Sequence, residues 1–206
     1  MGSPFFLSDF FLHEKGLQDF MYFRCMNKKL KLDELGRMKN DEFKSAKKIP
    51  LVLVLDNIRS GLNVGSVFRS SDAFRVQEVM LCGICAQPPH RDILKSALGA
   101  TEVVDWTYHE SSSAAITQLK ERGFKLAAIE QAENSCSLEN WEPKGDEKWA
   151  VIFGNEVKGV QQELIDASDL CIEIPQFGTK HSLNISVCAG MILWHYMLKC
   201  GLNEIK

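Results

Sequence analysis

The run Leu51-Val-Leu-Val-Leu55 limits the fold more than any other stretch of this chain. Five consecutive apolar residues with no polar alternation describe a strand covered on both faces, the environment of a parallel sheet between helical layers. Comparable runs recur at Val79–Cys82, Glu102–Trp106, Phe124–Ile129, Trp149–Phe153 and Leu170–Ile174. Segments with helical character separate them, at 64–75, Arg91–Leu98, 111–122, Gly159–Ala167 and Asn184–Lys199, while 133–147 reads as loop with one turn. This alternation predicts an α/β fold, a mostly parallel sheet with helices on both faces.

At 206 residues the chain can bury one good core. The reading is a short helical N-terminal extension over 1–48 and one domain over 49–206. No apolar run reaches the roughly 18 residues of a membrane span. Pro4–Leu12 is apolar but carries Asp9 and lacks a basic leader, which makes it a poor signal peptide. Seven scattered Cys argue for a reducing compartment, and the expected location is cytoplasmic. Cys82-Gly-Ile-Cys85 has redox or zinc spacing, but no second pair accompanies it, so buried free thiols are expected and no metal.

Net charge is −3. Within 24–48, however, nine Lys or Arg face four Asp or Glu, a local +5. That segment reads either as a solvated helix or as a phosphate-contacting patch. The last helix is apolar nearly all round, which requires burial on more than one side. A homodimer is expected there, with Met191, Trp194 and Met197 at or near the interface.

Three polar segments follow strand-like runs: Leu55-Asp-Asn-Ile-Arg59 with Asn63-Val-Gly65 and Arg69, then Gly154-Asn-Glu-Val-Lys-Gly159, then Ile174-Pro175 with Ser182-Leu-Asn184. Loops at the carboxyl ends of parallel strands are where such folds bind ligands. Asn63 and Gly65 suit a tight turn at the start of a helix, whose N-terminus together with Arg69 would suit an RNA phosphate. Glu156 fits either a helix-start charge or a polar anchor for a ligand. Ser182 and Asn184 are good N-caps. No Gly-x-Gly-x-x-Gly and no Walker A loop occurs, which argues against a nicotinamide-dependent oxidoreductase.

In order and spacing these segments resemble the three motifs of the SpoU (TrmH-type) branch of the SPOUT RNA methyltransferases, over about residues 49–200. The resemblance implies a C-terminal trefoil knot, which hydrophobic pattern does not show. It implies S-adenosylmethionine held largely by backbone at Ile129, Gly154, Ile174 and Leu183. It matches Asn63, Arg69, Glu156, Ser182 and Asn184 to the family's polar active-site positions. The implied reaction is methyl transfer to a ribose 2′-hydroxyl of RNA, tRNA favoured over rRNA, by a homodimer. Because a guanidinium scarcely deprotonates, Arg69 is expected to position and stabilise rather than act as base. The alternative is a catalytically silent RNA-binding homologue.

Overall fold

The computed structural model describes residues 28–201. The expectations for 1–27, including the start of the extension, lie outside the described residues. The chain divides into two compact units, Met1–Met38 and Lys39–Lys206. In the first, a 3-10 turn at Leu32–Leu35 is closed by Glu34, whose carboxylate accepts from the Lys31 N–H at 2.7 Å.

The second unit begins with a short helix, α1 (Asn40–Ser45). Its Phe43 is buried, and the Lys48 ammonium lies 3.4 Å from the centre of that ring and donates to the Phe43 carbonyl. Burial pulls the Lys48 pKa down. Lys48 is therefore committed to packing, unlike the exposed Lys28, Lys29, Lys31, Lys39 and Lys44 of the basic segment.

Seven strands form one parallel sheet: β1 (Ile49–Asp56), β2 (Val76–Cys82), β3 (Trp106–His109), β4 (Lys125–Ile129), β5 (Cys136–Ser137), β6 (Trp149–Phe153) and β7 (Leu170–Glu173). Their order is β3-β2-β1-β6-β4-β7-β5. The remaining helices are α2 (Gly61–Ala73), α3 (Arg91–Ala97), α4 (Ser112–Glu121), α5 (Gln162–Asp166) and α6 (Ile185–Tyr196). Side chains alternate across the sheet as the strand period demands. Leu51, Leu53 and Leu55 join the core under α2, α3 and α6. Val52 and Val54 join the opposite core, under α4 and α5. Helices on both faces of a parallel sheet are as expected.

Several boundaries differ from expectation. The third strand is not Glu102–Trp106 but Trp106–His109, because Gly99, at φ 88°, starts a 3-10 turn at Ala100–Glu102. Val103 and Val104 are buried as filler between helix and sheet, so their apolarity marked a core without marking a strand. The helix expected at 64–75 starts at Gly61, where the Ser60 hydroxyl accepts from the Asn63 N–H at 3.3 Å. The expected loop at 133–147 contains the two-residue strand β5 and a 3-10 turn at Leu138–Asn140. Met197, expected near a subunit interface, is 6% exposed and belongs to the core. The outward stripe of α6 is instead Val187, Met191, Trp194 and, in the turn that follows, Leu198.

Gly65 is needed for packing. It lies inside α2 facing α3, where an added Cβ would sit 2.2 Å from the Ser96 hydroxyl and 2.4 Å from the Ile93 carbonyl oxygen. Gly65→Ala should force the two helices apart and cost about 1–3 kcal/mol, read as a lowered midpoint in thermal or urea unfolding. An unchanged midpoint would contradict this packing.

Candidate active site

Strand register builds the rim of the site. Leu55 pairs with Phe153, Phe153 with Ile129, and Ile129 with Ile172. These four residues form one row across the sheet, so the chain segments just beyond them emerge side by side. They are Asp56–Ser60 after β1, Gly154–Gln161 after β6, Glu130–Asn134 after β4 and Ile174–Asn184 after β7. The sheet grows in opposite directions from the β1–β6 pair, the position where doubly wound folds open a crevice.

Hydrogen bonds stitch these segments together. The Glu156 carboxylate accepts from the Arg59 N–H at 3.0 Å, the Ser60 N–H at 3.2 Å and the Asn63 side-chain amide at 3.1 Å. The Asn63 amide oxygen in turn accepts from the Asn184 side chain at 3.1 Å. Asn184 also caps α6, accepting from the Ser186 N–H at 2.8 Å. One residue from each of the three motif segments thus joins a single relay. The N-terminus of α2, read from sequence as a phosphate site, already holds an anion, the protein's own Glu156. Burial pushes the Glu156 carboxyl up. Hydrogen bonds from the Arg59 backbone, its own N–H, the Asn63 side chain and the Ser60 backbone outweigh this and hold it below the usual carboxylate range.

The loop after β6 folds back on itself. Asn155 and Gly159 exchange backbone hydrogen bonds at 3.0 and 2.9 Å. The Asn155 side chain donates to the Asn57 carbonyl at 2.7 Å and accepts from the Val157 and Lys158 N–H groups. A Cβ on Gly154 would fall 2.1 Å from the Gly159 carbonyl carbon and the Val160 nitrogen. Gly154 is thus a glycine because its own loop fills the space. Glu130 holds the far side, accepting from the Val160 N–H at 2.9 Å, and Gly159, at φ 69°, leaves room for that carboxylate.

Sequence reasoning missed Glu130, and it quoted Asn155, Asp56 and Cys85 without their bonding roles. Asp56 is fully buried and accepts from Ser112 at 2.5 Å, from Asn57 at 2.7 Å and from the Gln161 amide at 3.0 Å. The carboxylate position at the end of an apolar strand was the available signal. Cys85 accepts from the Ile58 N–H at 3.0 Å and donates to the Leu55 carbonyl at 3.1 Å, pinning the first loop from beneath. Burial pushes the Cys82 thiol up to about 12 and the Cys85 thiol up to about 11, so neither is a thiolate at neutral pH. Among the described residues no group of three or more His, Cys, Asp or Glu could hold a metal ion.

Between the segments after β4, β6 and β7 lies a cleft of about 1070 Å³. Ile129, Gly154, Ile174 and Leu183 line it, together with Glu156, Ser182 and Asn184. Asn63 reaches this lining only through the relay. Arg69 is exposed on α2 and is not among the lining residues. Phe153, Ile172 and Ile185 add apolar wall. The charged lining is acidic: Glu130, Glu133, Glu156, Asp166 and Glu173 against Lys158. Such a cleft suits a ligand with an apolar ring and a positive centre, and disfavours one carrying phosphates.

The chain matches the SpoU rRNA Methylase family over residues 50–194. It is 30% identical over 148 residues to the 23S rRNA (guanosine-2′-O-)-methyltransferase RlmB of Neisseria meningitidis serogroup B, covering 70% of this chain and 56% of that protein. The chain therefore spans little more than half the length of that relative. Among solved structures, the TrmH/SpoU tRNA modifying enzyme of A. aeolicus superposes with a TM-score of 0.70 at 22% identity, covering 81% of this chain and 82% of that one. The SpoU methyltransferase AviRb of Streptomyces viridochromogenes, in complex with the cofactor AdoMet, superposes with a TM-score of 0.65 at 20% identity, over 79% of this chain and 62% of that one.

The Glu156 clamp has a pH signature. A carboxyl whose pKa is lowered on folding stabilises the fold above its unfolded pKa, about 4.3 for Glu, and loses that contribution as pH falls through the folded value. Amide hydrogen exchange at Arg59 and Ser60 should be slow at pH 7 and accelerate, beyond the intrinsic trend, only once the pH falls below the usual carboxylate range. Glu156→Ala should show fast exchange there at every pH. Equal protection in Glu156→Ala and wild type at pH 7 would remove the clamp.

Proposed function

The chain belongs to the SpoU rRNA Methylase family, and we propose that it transfers the methyl group of S-adenosylmethionine to a ribose 2′-hydroxyl of RNA. The observation that carries this reading is the Glu156–Asn63–Asn184 relay on the rim of an acid-lined, apolar-walled cleft. The relatives support it: RlmB is named a 23S rRNA (guanosine-2′-O-)-methyltransferase, and AviRb is solved in complex with the cofactor AdoMet.

The cleft fits such a cofactor. Ile129, Gly154, Ile174 and Leu183 would flank the adenine and ribose, and the acidic lining favours a cation over a phosphate-bearing group. When bound, S-adenosylmethionine supplies a methyl group already activated by its sulfonium, so this reading needs no metal. The protein's task is to align the ribose oxygen with that methyl group, and positioning is the largest plausible contribution. Glu156 contributes by holding the loop before α2 rather than by moving a proton, since its oxygens are occupied by three donors. Ser182 and Asn184 line the cleft, and the Asn184 amide is engaged by Asn63 and Ser186. Arg69 offers an exposed planar fork of donors for an RNA phosphate and for the developing oxyanion. The proton leaves through a phosphate or water.

The finer parts of the reading are a tRNA substrate in preference to rRNA, a knotted carboxyl end, a cytoplasmic location and an RNA-contacting basic segment. The tRNA preference is supported by likeness to a tRNA modifying enzyme. The knot is supported by the resemblance of the three motif segments. The basic segment is supported by its exposed lysines, from Lys28 to Lys44. For location, no described helix is long and apolar enough to cross a membrane.

With radiolabelled S-adenosylmethionine and total cellular RNA, wild type should label RNA, and mapping should find the label as 2′-O-methyl. Arg69→Ala should lower transfer by about 10²–10³-fold with cofactor affinity intact. Arg69→Lys should recover little, because a point charge does not replace a fork. No labelling of any RNA, with the cofactor demonstrably bound, would favour the silent homologue.

The protein is also proposed to be a homodimer. Met191 at 42% and Trp194 at 52% exposure lie on one apolar stripe of α6 with Val187 and Leu198. Met191→Asp with Trp194→Asp should shift sedimentation from dimer to monomer. Met197→Ala should instead cost about 2–5 kcal/mol of stability, as a core truncation does. A wild-type monomer at micromolar concentration would overturn the dimer.

A further inference from the structure

The loop between β7 and α6 carries an exposed aromatic beside the cleft. Its far end is held where the Gln131 side chain donates to the His181 carbonyl at 2.8 Å. Gln176 and His181 of the same loop line the cleft, so the loop borders its mouth. Between them Phe177 is 98% exposed, the most exposed of the large hydrophobic residues among those described. Burying a Phe is worth about 1.5–3 kcal/mol, so a ring held wholly in water lacks a partner that the fold does not supply. On the other lip, in the loop after β6, Val157 is 76% exposed beside an exposed Lys158. Lys180, three residues beyond Phe177, is exposed as well.

We infer that Phe177 is a stacking platform for an unpaired RNA base at the mouth of the cleft, with Lys158 and Lys180 meeting the flanking phosphates. The inference rests on the proposed RNA methyl transfer. Charge supports this occupant over an apolar partner. The cleft lining as a whole is acidic and disfavours a polyanion, whereas Lys158 in the loop after β6 and Lys180, three residues beyond the aromatic, are exposed cations, and an aromatic with basic neighbours is the combination that binds single-stranded nucleic acid. Geometry supports it too. A ribose 2′-oxygen must approach the cleft closely, which a nucleotide splayed out of a loop can do and one stacked within a duplex cannot. An aromatic face beside the mouth would hold such a nucleotide, or its neighbour, without reading its identity.

The test uses the full chain and two probes, a fluorescein-labelled 12-nucleotide single-stranded RNA and a 12-base-pair RNA duplex, in fluorescence anisotropy. Phe177→Ala should bind the single strand about 5–150-fold more weakly, the range for loss of one base–aromatic stack. Phe177→Leu should be similarly weak and Phe177→Trp should restore binding. Duplex binding and S-adenosylmethionine affinity should not change. Ultraviolet crosslinking of wild type to the single strand should place a nucleotide adduct on the peptide containing Phe177. Single-strand binding by Phe177→Ala equal to wild type, or full rescue by Leu, would overturn the platform and leave the RNA reading standing. A change of oligomeric state in Phe177→Ala would assign the ring to a second copy of the chain and also overturn it. Failure of wild type to bind either RNA would instead count against the RNA reading, and the platform would fall with it.

Discussion

The carboxylate of Glu156 accepts hydrogen bonds from a backbone N–H 97 residues earlier in the chain, from another 96 residues earlier and from a side-chain amide 93 residues earlier. Those donors belong to the turn that launches α2, and the amide of Asn63 passes the connection on to Asn184 at the start of α6. Remove the carboxylate and two backbone donors lose their partner, while Asn63 loses the group that orients it. The sheet makes the arrangement possible, since β1 and β6 are adjacent and in register, so their following loops cannot avoid each other. The closed loop after β6 then fixes where Glu156 stands, through Asn155 and the tight approach of Gly154 to Gly159.

The distribution of charge divides the labour. Carboxylates line the cleft, and several of them, Glu130 and Glu156 among them, are spent on backbone N–H groups rather than left to a ligand. Lys158 and Lys180 are exposed in the two loops that border its mouth. In the proposed reaction a cationic cofactor and a polyanionic substrate meet at one point, and this separation attracts each to its own side of it.

The strands and both helical layers were legible because a buried parallel strand leaves an uninterrupted apolar run, as at Leu51–Leu55, and because the helices alternate with those runs. The position of β3 was not. Val103 and Val104 are as apolar as a strand, but they serve a turn opened by Gly99, while the true edge strand is half polar. The motif residues of the three loops could be named from sequence, yet their work could not. Asn63 and Gly65 lie two residues apart in a pattern that suggests one turn, but one enters a relay and the other lets two helices touch. Glu130 and the bonding roles of Asp56 and Cys85 were not legible because their partners lie tens of residues away, and only the register of the sheet brings them together. Met197 was grouped with Met191 and Trp194 because an all-round apolar helix does not reveal which of its faces the protomer itself covers, and here the protomer's own core covers Met197.

The two margins of the sheet have a consequence for life at high concentration. A parallel sheet ends in rows of unpaired backbone groups, which invite pairing with another molecule. Here one margin is β3, four residues long, whose Thr107 and Tyr108 side chains are tied to Glu78 and to the Gly83 carbonyl. At the other, β5 contributes only Cys136 and Ser137, enough to cover Ile172 and Glu173 before the chain turns away. Neither margin offers a long flat template. The same brevity that makes these strands hard to recognise thus protects the folded protein from edge-to-edge aggregation.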